Sequence, residues 1–111
     1  VEIDSLVKTG MFQYHAEEAM YRKYTDEAEA LRAPFDFVMQ HIEYVINLVG
    51  VDYVGIGSDF DGIYQPPKQL NDVTNYPLIT KALLEKGYNE KDIDKILGGN
   101  LLRVLKANET N

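Results

Sequence analysis

Residues 51–58, Val-Asp-Tyr-Val-Gly-Ile-Gly-Ser, form the one clear β-branched and aromatic run in the chain, and they read as a strand. A lone strand constrains the fold more than any other feature. Both of its edges would carry unpaired amide and carbonyl groups, which a folded protein does not leave buried. The partner strands must therefore come from residues 1–12, which are weakly strand-like, or from sequence outside these 111 residues. The second source fits better, because everything else in the chain has a helical pattern.

Residues 15–32 are rich in Ala, Glu, Lys and Arg without Gly or Pro, which predicts one exposed helix with i, i+4 ion pairs such as Glu18 with Arg22. Pro34 opens a second helix, in which Val38, Ile42, Val45, Ile46 and Val49 draw an apolar stripe that ends at Gly50. A helix followed at once by a strand is an α/β unit. After the strand, Gly62, Pro66 and Pro67 mark a long loop to Leu70. A helix over about residues 74–86 follows, with Leu78, Ile79, Ala82 and Leu83 on one face and Gly87 beyond its end. Asn89 suits the N-cap of a short helix that breaks at Gly98 and Gly99, and Asn100 is expected to cap a last helix through Ala107. The tail from Asn108 is expected to fray.

Eighteen acidic residues against eleven basic give a formal charge of −7, which repels phosphate backbones and anionic lipid. Nucleic-acid and membrane partners are excluded on that ground, and no stretch reaches the length of a membrane span. Without cysteine there is neither a disulfide framework nor a thiolate metal site. The beginning at Val1, with no initiator Met, reads as an internal start. It leaves the compartment, cytoplasmic or periplasmic, undecided.

The chemistry-bearing motif is Gly55-Ile56-Gly57-Ser58-Asp59-Phe60-Asp61-Gly62. Two carboxylates stand at the end of a strand whose glycines allow close backbone approach. At the C-terminal end of a barrel strand, a carboxylate points into the mouth and can accept a proton and pass it on. Asp59 fits that role; Asp61 could share it or act as an Asx-turn residue before Gly62. Tyr64, in the loop after the strand, is a candidate substrate contact. The remaining tyrosines, including Tyr53 and Tyr76, read as packing residues.

At these residues the chain resembles the membrane (renal) dipeptidase family. Its last barrel strand carries a similar Gly-Ser-Asp-Phe-Asp-Gly run. His41-Ile42-Glu43-Tyr44-Val45, Asn71-Asp72-Val73 with Tyr76-Pro77, and Gly98-Gly99-Asn100-Leu101-Leu102-Arg103-Val104 match further family stretches in order. The matches cover residues 34–106, and residues 1–33 resemble a variable lead-in. The resemblance implies an α/β fold: 1–111 as the C-terminal portion of a TIM-like (β/α)8 barrel, mainly helical, with 34–107 holding the last helix, strand, loop and C-terminal helices. It implies a zinc-dependent dipeptidase, a dipeptide substrate, a homodimer, and Asp59 as the final-strand aspartate that faces substrate and handles the proton for the leaving amine.

The family's zinc ligands, a His-x-Asp pair, a bridging Glu and two further histidines, lie on earlier strands and have no counterpart here. His15 and His41 stand far apart with no ligand spacing. No metal site is expected within these residues, and the two zinc ions would be held by the missing N-terminal barrel portion. His15 reads as surface and His41 as a partly buried structural histidine. Gly55 and Gly57 make no dinucleotide fingerprint, since no helix opens after them, and Asp59 and Asp61 lack the other ligands of a calcium loop. The alternative to an enzyme portion is a non-catalytic helical module that self-associates through the apolar faces of residues 38–49 and 78–83, without metal or activity.

Overall fold

Phe35–Val49, the longest helix of the chain, is apolar enough to need covering along its length, and the rest of the C-terminal half is arranged on one side of it. In the computed structural model, which describes residues 2–109, the helices run α1 (Glu2–Lys8), α2 (Gln13–Lys23), α3 (Thr25–Leu31), α4 (Phe35–Val49), α5 (Tyr76–Glu85), α6 (Glu90–Asp94) and α7 (Asn100–Ala107). Short 3-10 turns at Val51–Tyr53 and Val73–Asn75 and a π turn at Lys95–Gly99 join them. Met39 and Ile46 of α4, Ile79 and Leu83 of α5, and Ile93 and Ile96 beyond them form one buried cluster with Val54 and Leu70. Their apolar area leaving water is the main stabilising contribution.

The α4 stripe is rotated from the expected one. Met39 and Ile46 are buried and Val38 and Ile42 half-buried, whereas Val45 and Val49 are exposed, as are Phe37, Tyr44 and Leu48 on the far side. His41 is exposed as well, so the structural histidine expected there is not found. At the helix end Gly50 takes φ 86°, a left-handed conformation that stops the helix without a Cβ penalty. Gly87, at φ 90°, does the same just beyond α5.

Residues 51–58 do not form a strand, and no strand occurs among the described residues. Val51–Tyr53 coils into a 3-10 turn, and Val54 is then extended at φ −110°, ψ 139°. The segment has strand-like backbone without a strand partner. Ile56 N donates to Ile96 O (3.3 Å), and the carbonyls of Val51 and Val54 receive the Asn100 side-chain amide at 2.7 and 2.9 Å. Asn100 is accordingly not the helix cap expected from sequence; Gly99 holds that position. Asn100 is buried, 6% exposed, in αR conformation inside a continuous helical path through the π turn, where Gly98 alone departs from helical geometry.

The first third also departs from expectation. Residues 2–8 are helical, with Glu2 and Asp4 in the first turn and Lys8 in the last, a distribution that complements the helix dipole. Residues 15–32 divide into α2 and α3 at Tyr24. There the Thr25 hydroxyl donates to Tyr21 O and Arg22 O, local bonds that compete with helix continuation. Glu18 and Arg22 pair at 2.6 Å as expected. Asn89 caps α6, accepting from Asp92 N at 2.9 Å, and α7 ends at Ala107. Asn108 still bonds back to the helix through Val104 O, while Thr110 and Asn111 lie outside the described residues.

Arg32 ties the long loop to α3. Its side chain, 12% exposed, donates to Pro66 O (2.7 Å), Pro67 O (2.9 Å) and Asn71 Oδ1 (2.6 Å) while pairing with Glu29, and Lys68 N donates to Ala33 O. Beyond it, Asp72 and Asn75 form a reciprocal capping box that starts the run into α5. Hydrogen bonds from the Thr74 hydroxyl and amide hold the Asp72 carboxyl below its ordinary value.

Two outcomes are expected. Asn100→Ala strands the Val51 and Val54 carbonyls and should destabilise the chain by roughly 2–4 kcal/mol, read as a lower urea midpoint; a change under about 0.5 kcal/mol would show that the staple is dispensable. Arg32→Ala should speed amide exchange at Lys68 on the order of tenfold or more, with little change at Leu83 in the core.

Candidate functional site

The extended segment has two unlike faces, because side chains alternate along pleated backbone. On one face Val54 is buried and Ile56 half-buried, Ser58 is exposed but hydrogen-bonded to Tyr76, and Phe60, already in the following turn, is half-buried. On the other, Tyr53, Gly55, Gly57, Asp59 and Asp61 are all exposed. Tyr53 is 76% exposed, so it is not the packing residue expected. The exposed face is nearly bare backbone until Asp59.

Tyr76, at the start of α5, fixes the segment on both sides of Asp59. Its hydroxyl donates to Ser58 Oγ at 2.8 Å, and its ring lies 5.9 Å from that of Phe60. The capping box sets where α5 begins, so the turn chemistry of residues 72–75 also sets where Tyr76 stands. In sequence Tyr76 reads as generic packing; the Tyr-Pro pair at a helix start is the one signal of its placement.

Residues 59–62 make a tight turn closed by Gly62 N donating to Asp59 O at 2.9 Å. The Asp59 carboxyl folds over Gly62: a Cβ placed there would lie 2.6 Å from Cγ and collide with both carboxylate oxygens. Only glycine leaves the carboxyl that position. Asp61 makes no side-chain hydrogen bond among the described residues, and the turn is closed by backbone, so the Asx-turn reading of Asp61 has no counterpart.

Tyr64 packs against α2. Its ring stacks on Tyr21 at 4.6 Å and meets Tyr14 at 5.7 Å, and its hydroxyl donates to Tyr14 O at 3.4 Å. Burial of the hydroxyl, the contact with Tyr14 and the nearby Glu18 and Glu17 carboxylates push its pKa well above the ordinary phenol value, so the group stays protonated. His15 is exposed beside Tyr14 and Phe12, and it is not brought near His41 or Asp59 by any contact. Among the described residues no group of three His, Cys, Asp or Glu side chains could hold a metal ion, and no helix is long and apolar enough to cross a membrane.

Comparison with known proteins agrees with this motif. Residues 6–111 match the family model for membrane dipeptidase, peptidase family M19. The chain is 45% identical over 87 residues to dipeptidase aclJ of Aspergillus oryzae, which covers 78% of this chain and 21% of that protein. It is 40% identical over 90 residues to the dipeptidase C965.12 of Schizosaccharomyces pombe, 80% of this chain and 22% of that one. With dipeptidase 3 of Mus musculus the identity is 35% over 80 residues, 72% of this chain and 16% of the other. The chain thus spans about a fifth of the length of these relatives. With nearly all of its residues inside the family match, the chain belongs to the membrane dipeptidase family, peptidase family M19.

Proposed function

We propose that this chain supplies the last strand and the C-terminal helices of a zinc-dependent dipeptidase barrel, and that Asp59 is its proton-handling carboxylate. The observation that carries this reading is the two-faced segment ending at Asp59. One face is packed on helices, and the other is glycine, glycine and aspartate with nothing over it among the described residues. A barrel strand has that division, with one side on the helix layer and the other on the barrel interior. The exposed apolar residues Phe37, Tyr44 and Leu48 of α4 and Leu101, Leu102 and Leu105 of α7 support it further, since a barrel remainder would cover them.

In this reading a dipeptide lies across the carboxyl end of residues 54–58. Attack of water on the amide carbon leaves one proton to be removed and one to be delivered to the departing nitrogen. A carboxylate within reach of both performs the two transfers in turn, and no net proton is consumed within that exchange. Asp59 is exposed, with its neighbours Ser58 and Phe60 held by Tyr76 and its carboxyl lying over the bare backbone of Gly62. The zinc ions implied by the family resemblance do not fit the described residues of this chain. Their ligands are proposed to lie on the N-terminal barrel portion, so the 111 residues alone would be inactive.

The test is Asp59→Asn in the barrel-bearing protein. Dipeptide turnover should fall on the order of 100-fold or more while zinc content stays unchanged; unaltered turnover refutes the role. Self-association is the second reading; the face of residues 78–83 expected to drive it is instead packed into the core, with Ile79 and Leu83 buried, so the exposed apolar residues of α4 and α7 would have to do so. Sedimentation of the isolated chain distinguishes them: a stable oligomer that does not dissociate when mixed with the N-terminal portion of a homologous barrel favours the module, and activity restored on mixing favours the enzyme portion.

A further inference from the structure

A cleft of about 800 Å³ opens between α2, α3 and residues 62–65. Its walls include Tyr14, Tyr21, Tyr24 and Tyr64, and Glu17 and Glu27 are among its lining residues. Gly62 is part of the same lining, and the Asp59 carboxyl lies directly over Gly62. The cleft therefore begins where the proposed reactive carboxylate ends.

The chemistry of the lining is selective. Tyrosine rings present π faces and phenol edges that attract cations and cover aliphatic stems. Among the described residues neither Glu17 nor Glu27 pairs with a Lys, Arg or His, and Glu17 accepts a neutral hydrogen bond from Gln13 Nε2 at 2.9 Å, so neither lining carboxylate has a cationic partner. Of the lining residues, Tyr24 already takes an ammonium group beside the cleft: Lys23 Nζ sits 5.0 Å from its ring centre and 3.1 Å from Glu2, a pairing of tyrosine and carboxylate that a basic group favours, although neither Lys23 nor Glu2 lines the cleft. The Gln65 side-chain nitrogen, also at the lining, is buried without a hydrogen-bond partner. An acceptor such as a peptide carbonyl would satisfy it after a small side-chain adjustment.

We infer that this cleft is a specificity pocket for dipeptides bearing a basic side chain, with the aliphatic stem along Tyr14, Tyr21 and Tyr64 and the cationic head between Glu17 and Glu27. The inference rests on the Asp59 reading for its place next to the reactive carboxylate, but the binding itself needs no catalysis. An acidic side chain would meet the two carboxylates. A purely aromatic one would gain ring contact and leave the carboxylates without a partner.

The experiment is titration of the 111-residue chain with Gly-Arg, Gly-Phe and Gly-Glu, followed through the ring resonances of Tyr14, Tyr21 and Tyr64. Gly-Arg should bind about fivefold or more tighter than the other two, and Glu17→Gln combined with Glu27→Gln should erase that preference. Equal or tighter binding of Gly-Phe or Gly-Glu, or shifts confined to other rings, overturns the proposal. The order of the three affinities in the unmodified chain decides the matter even where the double variant is unstable. Unaltered turnover of Asp59→Asn in the barrel-bearing protein, with the basic preference intact, would count against the Asp59 reading alone, and lost turnover of that variant without the basic preference in the 111-residue chain would count against the pocket alone.

Discussion

The carboxamide of Asn100 is what the C-terminal half depends on. One buried side chain from the start of α7 donates to two carbonyls of the segment between α4 and the Asp59 turn. Those carbonyls would otherwise be unsatisfied, because the segment has no strand beside it on either edge among the described residues. The bond therefore takes the place of a sheet ladder, and it does so from a helix. It also fixes the rotation of the segment, burying Val54, half-burying Ile56 and leaving Gly55, Gly57 and Asp59 exposed.

Once that rotation is set, the remaining contacts add position. Tyr76 holds Ser58 and Phe60, and the capping box at Asp72 and Asn75 sets where Tyr76 begins its helix. Arg32 holds the loop between them by its backbone carbonyls at Pro66 and Pro67, which no side-chain substitution at those prolines would remove. Asp59 is thus located by three separate elements while touching none of them with its own carboxyl in any hydrogen bond among the described residues. A carboxylate that must exchange protons with a substrate gains from that arrangement, since one already held in hydrogen bonds would be tied up.

Periodicity and turn chemistry make much of the helical framework legible. The Pro34 start and Gly50 end of α4, the Gly87 stop after α5 and the Asn89 cap of α6 follow from local backbone preferences, and local preferences are what a sequence displays directly. The failures are tertiary. Residues 51–58 look like a strand because their composition suits one, yet a strand exists only where a second strand supplies the ladder. Asn100 looks like a cap because asparagine commonly is one, and nothing local reveals the two carbonyls 46 and 49 positions earlier that recruit its amide. The break at Tyr24 is hidden because the sequence around Thr25 has good helix formers on both sides, and its cause is a single hydroxyl that bonds back to the preceding turn.

The candidate site divides the same way. Asp59 stands out in sequence because a carboxylate after glycine-spaced residues is an uncommon pattern with a chemical reading, and in the structure it is exposed. Tyr64 stands out in sequence for its position in the loop, and its surroundings alter what that position means. Its ring is committed to Tyr21 and Tyr14, so it can meet a ligand only as one wall of the cleft they share. Those two tyrosines belong to α2, inside the family match of residues 6–111. The turn that holds Asp59 and the cleft share Gly62, while the tyrosine walls come from a separate helix. A substitution on α2 could then alter what is bound without disturbing the turn that holds Asp59.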